Sequence, residues 1–85
     1  MTYKIEVYPE ARDQIRALPA GLPKEFAEVM AMLELTPWNS APINSDNPEG
    51  SVRQLTFGDT GAALVVFLVL EHQRRVDILR VLWLG

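Results

Sequence analysis

Ala62-Ala63-Leu64-Val65-Val66-Phe67-Leu68-Val69-Leu70 is apolar at all nine positions. A strand with this pattern presents apolar side chains on both of its alternating faces, which suits the centre of a sheet covered on each side. The run is also too short for a bilayer-spanning helix, which takes about 18–20 residues. Turns bound it on each side. Gly58-Asp59-Thr60-Gly61 separates it from Val52-Arg53-Gln54-Leu55-Thr56-Phe57, which reads as a strand. The polar segment Glu71 to Arg75 joins it to a last strand, Val76 to Leu84, where Asp77 and Arg80 interrupt an otherwise apolar run.

Upstream, Tyr3, Ile5 and Val7 alternate with Lys4, Glu6 and Tyr8, a period of two that predicts a strand with one buried face. Pro9 stops it, and the spacing of Ala11, Ile15 and Leu18 predicts a short helix ending near Pro19. Ala20-Gly21-Leu22-Pro23 is a tight connection, and Pro23 suits the first turn of a second helix because its missing amide hydrogen would be unpaired there. Phe26, Val29, Met30 and Leu33 form the buried stripe of that helix, which ends near Leu35. Pro37 to Gly50 holds three prolines and three asparagines and reads as a loop, with Trp38 and Ile43 as its anchors.

The order β-α-α-β-β-β predicts a single α+β domain over residues 1–85, with a helical hairpin packed on a twisted, mostly antiparallel sheet. One helical layer covers only one face of a sheet. The doubly apolar strand therefore calls for a second cover, from the long loop or from a partner.

Composition narrows the chemistry. With no cysteine and His72 as the only imidazole, thiolate catalysis, cysteine-rich zinc sites and iron–sulfur clusters are excluded, and no metal or cofactor is expected. The N-terminus lacks the apolar stretch of a secretory signal, so a cytoplasmic location is expected, with no membrane partner. A formal net charge of −3 argues against a dedicated nucleic-acid binder. The charge is uneven, however: Arg53, Arg74, Arg75 and Arg80 outnumber Asp59, Glu71 and Asp77 in residues 51–85, so an anion would meet this half.

The segments Val52-Arg53-Gln54-Leu55-Thr56-Phe57-Gly58, Leu64-Val65-Val66-Phe67 and Val76-Asp77-Ile78-Leu79-Arg80-Val81-Leu82 resemble the RelE/ParE toxin superfamily. The opening Tyr3-Lys4-Ile5-Glu6-Val7, Ala17-Leu18-Pro19 at the end of the first helix and Leu35-Thr36-Pro37-Trp38 after the second are similar to that family too. The likeness lies in their order and spacing across almost the whole chain. It implies the toxin of a bacterial type II toxin–antitoxin pair, of the kind linked to plasmid stabilization, with a cognate antitoxin as partner. RelE-like members are mRNA interferases that inhibit translation at the ribosome, whereas ParE-like members poison DNA gyrase. Metal-free RNA cleavage needs groups that activate the 2′-hydroxyl, stabilise the phosphorane and protonate the leaving oxygen.

The resemblance assigns phosphate contact first to Arg53, with a solvated surface arginine as the plain alternative. Arg80 is a substitute cation, for which a carboxylate such as Glu6 competes. Arg74, Arg75 and Trp83 are expected to contact RNA or a protein partner, and His72 lies beside the two arginines in the turn. Two departures stand out. The family often has an arginine where this chain has Leu64, and its pattern runs on to histidine or glycine and arginine, with tyrosine in some members, where this sequence reads Trp83-Leu84-Gly85. A ribosome-dependent endoribonuclease is therefore one expectation. A non-catalytic protein binder, acting on gyrase or retaining only antitoxin binding, is the other. A stand-alone domain with only architectural likeness and a homodimer formed through strand edges also remain open.

Overall fold

The computed structural model describes residues 2–59 and 61–84. Strand β1 (Lys4–Val7) leads into helix α1 (Pro9–Arg16), and α2 (Leu22–Leu35) follows after a turn in which Gly21 takes φ 93°. Strands β2 (Ala41–Pro42), β3 (Val52–Phe57), β4 (Ala63–Leu70) and β5 (Arg75–Trp83) complete the chain, with a single 3₁₀ turn at Glu71–Gln73. The sheet runs β1-β5-β4-β3-β2; β1 is parallel to β5 and the other pairs are antiparallel. This is the α+β arrangement expected from the sequence, with one strand more. Ala41–Pro42, inside the segment read as loop, pairs with Gln54 and Arg53 at the sheet edge, where a proline costs no ladder bond. None of the described helices is long and apolar enough to cross a membrane.

The core lies between the helices and one face of the sheet. Ala11 of α1 and Phe26 and Leu33 of α2 pack with Phe57 of β3, Ala63, Val65, Phe67 and Val69 of β4, and Val76, Ile78 and Val81 of β5. Gly58, at φ 93°, sits under the start of α2, where an added Cβ would lie 3.1 Å from Leu22 Cδ2.

On the other face, Leu64, Val66, Leu68 and Leu70 remain half-buried. The sequence calls for a second cover, with the loop as one source of it, but β2 extends the sheet sideways instead. The face is open. Between Val66 and Phe67 the β4–β5 register shifts, so Leu79 is an extra residue of β5. Pairing with β1 ends at Ile78, and beyond the irregularity the Val81 N–H donates to Gln14 Oε1 at 2.6 Å, so α1 replaces a strand partner there.

Phe67 is fully buried at the centre of β4. Phe67→Ala should cost about 3–5 kcal/mol through lost transfer energy and the cavity left behind, read as a lower urea midpoint with native-like activity at low temperature.

Candidate functional site

The strand register sets the open face. Ala41, Gln54, Val66 and Arg80 form one row across it; Thr56, Leu64 and Leu82 form the next row. In the other direction Val52, Leu68, Asp77 and Glu6 share a row, followed by Leu70, Arg75 and Lys4. The apolar middle is thus flanked by charge. Lys4 pairs with Glu6 at 3.2 Å. Arg75 binds Asp77 through two donors, Nε at 2.8 Å and Nη2 at 3.2 Å, and the Tyr8 hydroxyl donates to Asp77 Oδ2 at 3.4 Å. Hydrogen bonding to Asp77 raises the Arg75 guanidinium above its ordinary value. Arg80 is exposed and, among the described residues, has no carboxylate partner; the Glu6 pairing weighed from the sequence does not form.

Arg53 lies elsewhere. It pairs with Phe67 on the helix-facing side of the sheet and is only 5% exposed. Its Nε donates to Ser40 Oγ (2.9 Å), Nη1 to the carbonyls of Pro48 and Gly50 (both 3.1 Å), and Nη2 to the Ser40 carbonyl (2.6 Å). The guanidinium also stacks over Trp38, 5.1 Å from the ring centroid. A solvated arginine was the plain expectation and a phosphate contact the sharper one; in this geometry the donors are committed to the loop on the opposite face from Arg80. The parity of Val52–Phe57 carries the signal: Arg53 alternates in step with Leu55 and Phe57, which face the core.

Arg74 closes the β4–β5 turn with φ 50°, a left-handed conformation uncommon outside glycine. It stacks over Tyr3 at 5.2 Å, donates to the Tyr3 hydroxyl at 3.1 Å and pairs with Glu71 Oε2 at 3.4 Å. Glu71 Oε1 accepts from Tyr3 Oη and from Trp38 Nε1, both at 2.7 Å. Sequence reading missed this network because it joins residues from opposite ends of the chain. The bonds from Tyr3 and Trp38 hold the Glu71 carboxyl below its ordinary value, while the same contact with Glu71 raises Tyr3. Trp83 stands apart, 50% exposed, on a cavity of about 350 Å³ shared with Leu22, Glu25 and Asp59. Desolvation first, and then the adjacent Asp59, raise the Glu25 carboxyl. Of the expected site residues, only Arg75 and Arg80 share the open face.

The isolated RelE toxin of Escherichia coli superposes with a TM-score of 0.79 over 98% of this chain and 85% of its own, at 10% sequence identity. The fold is that of RelE. The RelE fold also appears in matches to the toxin–antitoxin complex RelBE2 from Mycobacterium tuberculosis, with TM-score 0.73, 19% identity and 98% and 99% of the two chains covered. The archaeal RelE–RelB complex from Pyrococcus horikoshii matches at TM-score 0.67 and 19% identity, over 100% and 98%. No family model and no curated protein matches the sequence. At these identities the shared property is the RelE architecture, and the resemblance read in the sequence holds at that level.

Two outcomes follow from the geometry around the loop. Arg53→Ala leaves three loop carbonyls without donors and should destabilise the protein by roughly 2–4 kcal/mol, measured by urea unfolding. Glu71 has a lowered folded pKa, so its contribution is complete above the ordinary carboxylate value and is lost as pH falls below that value and through the lowered folded pKa. The thermal midpoint should therefore drop on acidification through the carboxylate range, with a shallower drop in Glu71→Gln.

Proposed function

We propose that this chain is the toxin of a toxin–antitoxin pair, acting in the cytoplasm, and that it inhibits translation by cleaving mRNA at the ribosome through the open face of its sheet. Support comes from the fold it shares with a RelE toxin and with RelE–RelB complexes. The single observation that carries the site is Arg80, an exposed guanidinium without a carboxylate partner among the described residues. In cleavage by the neighbouring 2′-hydroxyl, a bond from O2′ to phosphorus forms and the bond from phosphorus to O5′ breaks. The 2′ proton leaves to solvent and O5′ gains one. Charge builds on the phosphoryl oxygens, where a guanidinium stabilises it by charge-assisted hydrogen bonds.

Arg53 becomes a positioning residue in this reading, since it fixes the loop next to the sheet. Arg75 serves Asp77, and Arg74 serves the turn. A cognate antitoxin would neutralise the toxin by covering the open face. A second reading, non-catalytic binding of a protein target such as gyrase, is favoured by the Leu64, Val66 and Leu82 surface beside Arg80.

Tightly induced expression with pulse-labelled methionine separates the two. The wild type should reduce incorporation within minutes, and Arg80→Ala should relieve the block, because losing one charge-assisted contact costs ~1.5–3 kcal/mol, or about 10- to 100-fold in rate. Unchanged incorporation with filamenting cells would transfer the function to the protein-binding reading.

A further inference from the structure

Tyr8 leaves β1 beside the irregularity in β5. Its N–H donates to the Ile78 carbonyl at 3.0 Å, so Tyr8 lies against Asp77 and Ile78, and the row of Asp77 is followed on the open face by the row that holds Arg80. Alternation along β1 puts its side chain on the open face with Lys4 and Glu6, and the contact with Asp77 Oδ2 agrees. Tyr8 is 43% exposed, whereas Asp77 is 3% exposed. Asp77 already holds Arg75 at 2.8 and 3.2 Å, so its charge is met without the phenol. The Tyr8 contact, at 3.4 Å, is at the long limit for a hydrogen bond between oxygens. The hydroxyl can therefore turn its hydrogen bond to a second acceptor at small cost.

A phosphodiester held by Arg80 offers such an acceptor. Asp77 keeps the ring next to the face, Arg75 keeps Asp77 in place, and α1 begins directly after Tyr8, at Pro9, which limits backbone freedom there. We propose that Tyr8 is a second RNA-phosphate contact on the open face beside Arg80, and that Asp77 is the positioning residue that presents its hydroxyl. This deepens the proposed function and rests on the face meeting RNA.

The test is fluorescence anisotropy with 5′-fluorescein-labelled heptauridylate at low salt, run alongside the translation assay. Tyr8→Phe keeps the ring and should bind about three- to tenfold more weakly with an unchanged thermal midpoint. Arg80→Ala should weaken binding further and lower the salt slope by about 0.7. Asp77→Asn should weaken binding when Tyr8 is present and add little in the Tyr8→Phe background, a dependence that a purely structural role would not produce.

Wild-type affinity in Tyr8→Phe, or equal losses from Asp77→Asn in both backgrounds, would overturn the inference. Translation arrest without any oligonucleotide binding would overturn it too, leaving the toxin reading in place. Binding that depends on Tyr8 in a protein that leaves translation intact would support it and sink the toxin reading instead.

Discussion

A guanidinium that is 5% exposed has to find all its hydrogen bonds inside the protein, and Arg53 does so by gathering the segment between α2 and β3 around itself. Ser40, Pro48 and Gly50 are drawn to one point, and Trp38 lies under the charge. Trp38 in turn donates to Glu71, which receives Tyr3 and pairs with Arg74. One buried cation thus ties the long loop to the first strand and to the β4–β5 turn. The short strand β2 follows directly, since Ala41 comes immediately after Ser40.

That arrangement decides which cations remain for function. Arg53 belongs to the loop, Arg74 to Tyr3 and Glu71, and Arg75 to Asp77. Arg80 is left on the open face, in the row of Val66 and next to the irregularity in β5. The proposed RNA ligand, with both bases and phosphates, would meet a sheet surface with an apolar middle and, among the described residues, one exposed guanidinium without a carboxylate partner. That surface differs from a uniformly basic one, in keeping with a formal net charge of −3. Five of the eleven acidic residues lie on the two helices, Glu10 and Asp13 on α1 and Glu25, Glu28 and Glu34 on α2.

Most of the fold is legible in local patterns. The nine-residue apolar run marks the central strand, the change from period two to periods of three and four marks the strand-to-helix step at Pro9, and Pro23 marks the start of α2. The two-residue β2 is not legible, because its pairing with β3 is stabilised by Arg53 and not by its own propensity. The site is harder to read. Arg53 and Arg80 both sit in strands, and only side-chain parity separates them. Parity puts Arg53 with Leu55 and Phe57, while the extra Leu79 shifts the count before Arg80. Tyr8 gains its neighbours only when β1 lies parallel to β5, a pairing between the two ends of the sequence. The open second face was partly legible, since a single hairpin cannot cover a doubly apolar strand.

Hydrogen bonds and ion pairs within the protein occupy Arg53, Arg74 and Arg75 and leave Arg80 as the guanidinium open to a ligand. Arginine side-chain Nε–Hε NMR spectra, recorded with and without heptauridylate, read each guanidinium separately. The Arg80 resonance should move on titration while Arg53, Arg74 and Arg75 keep their free-state shifts. A stationary Arg80 with movement at Arg53 or Arg74 would contradict this division of the arginines.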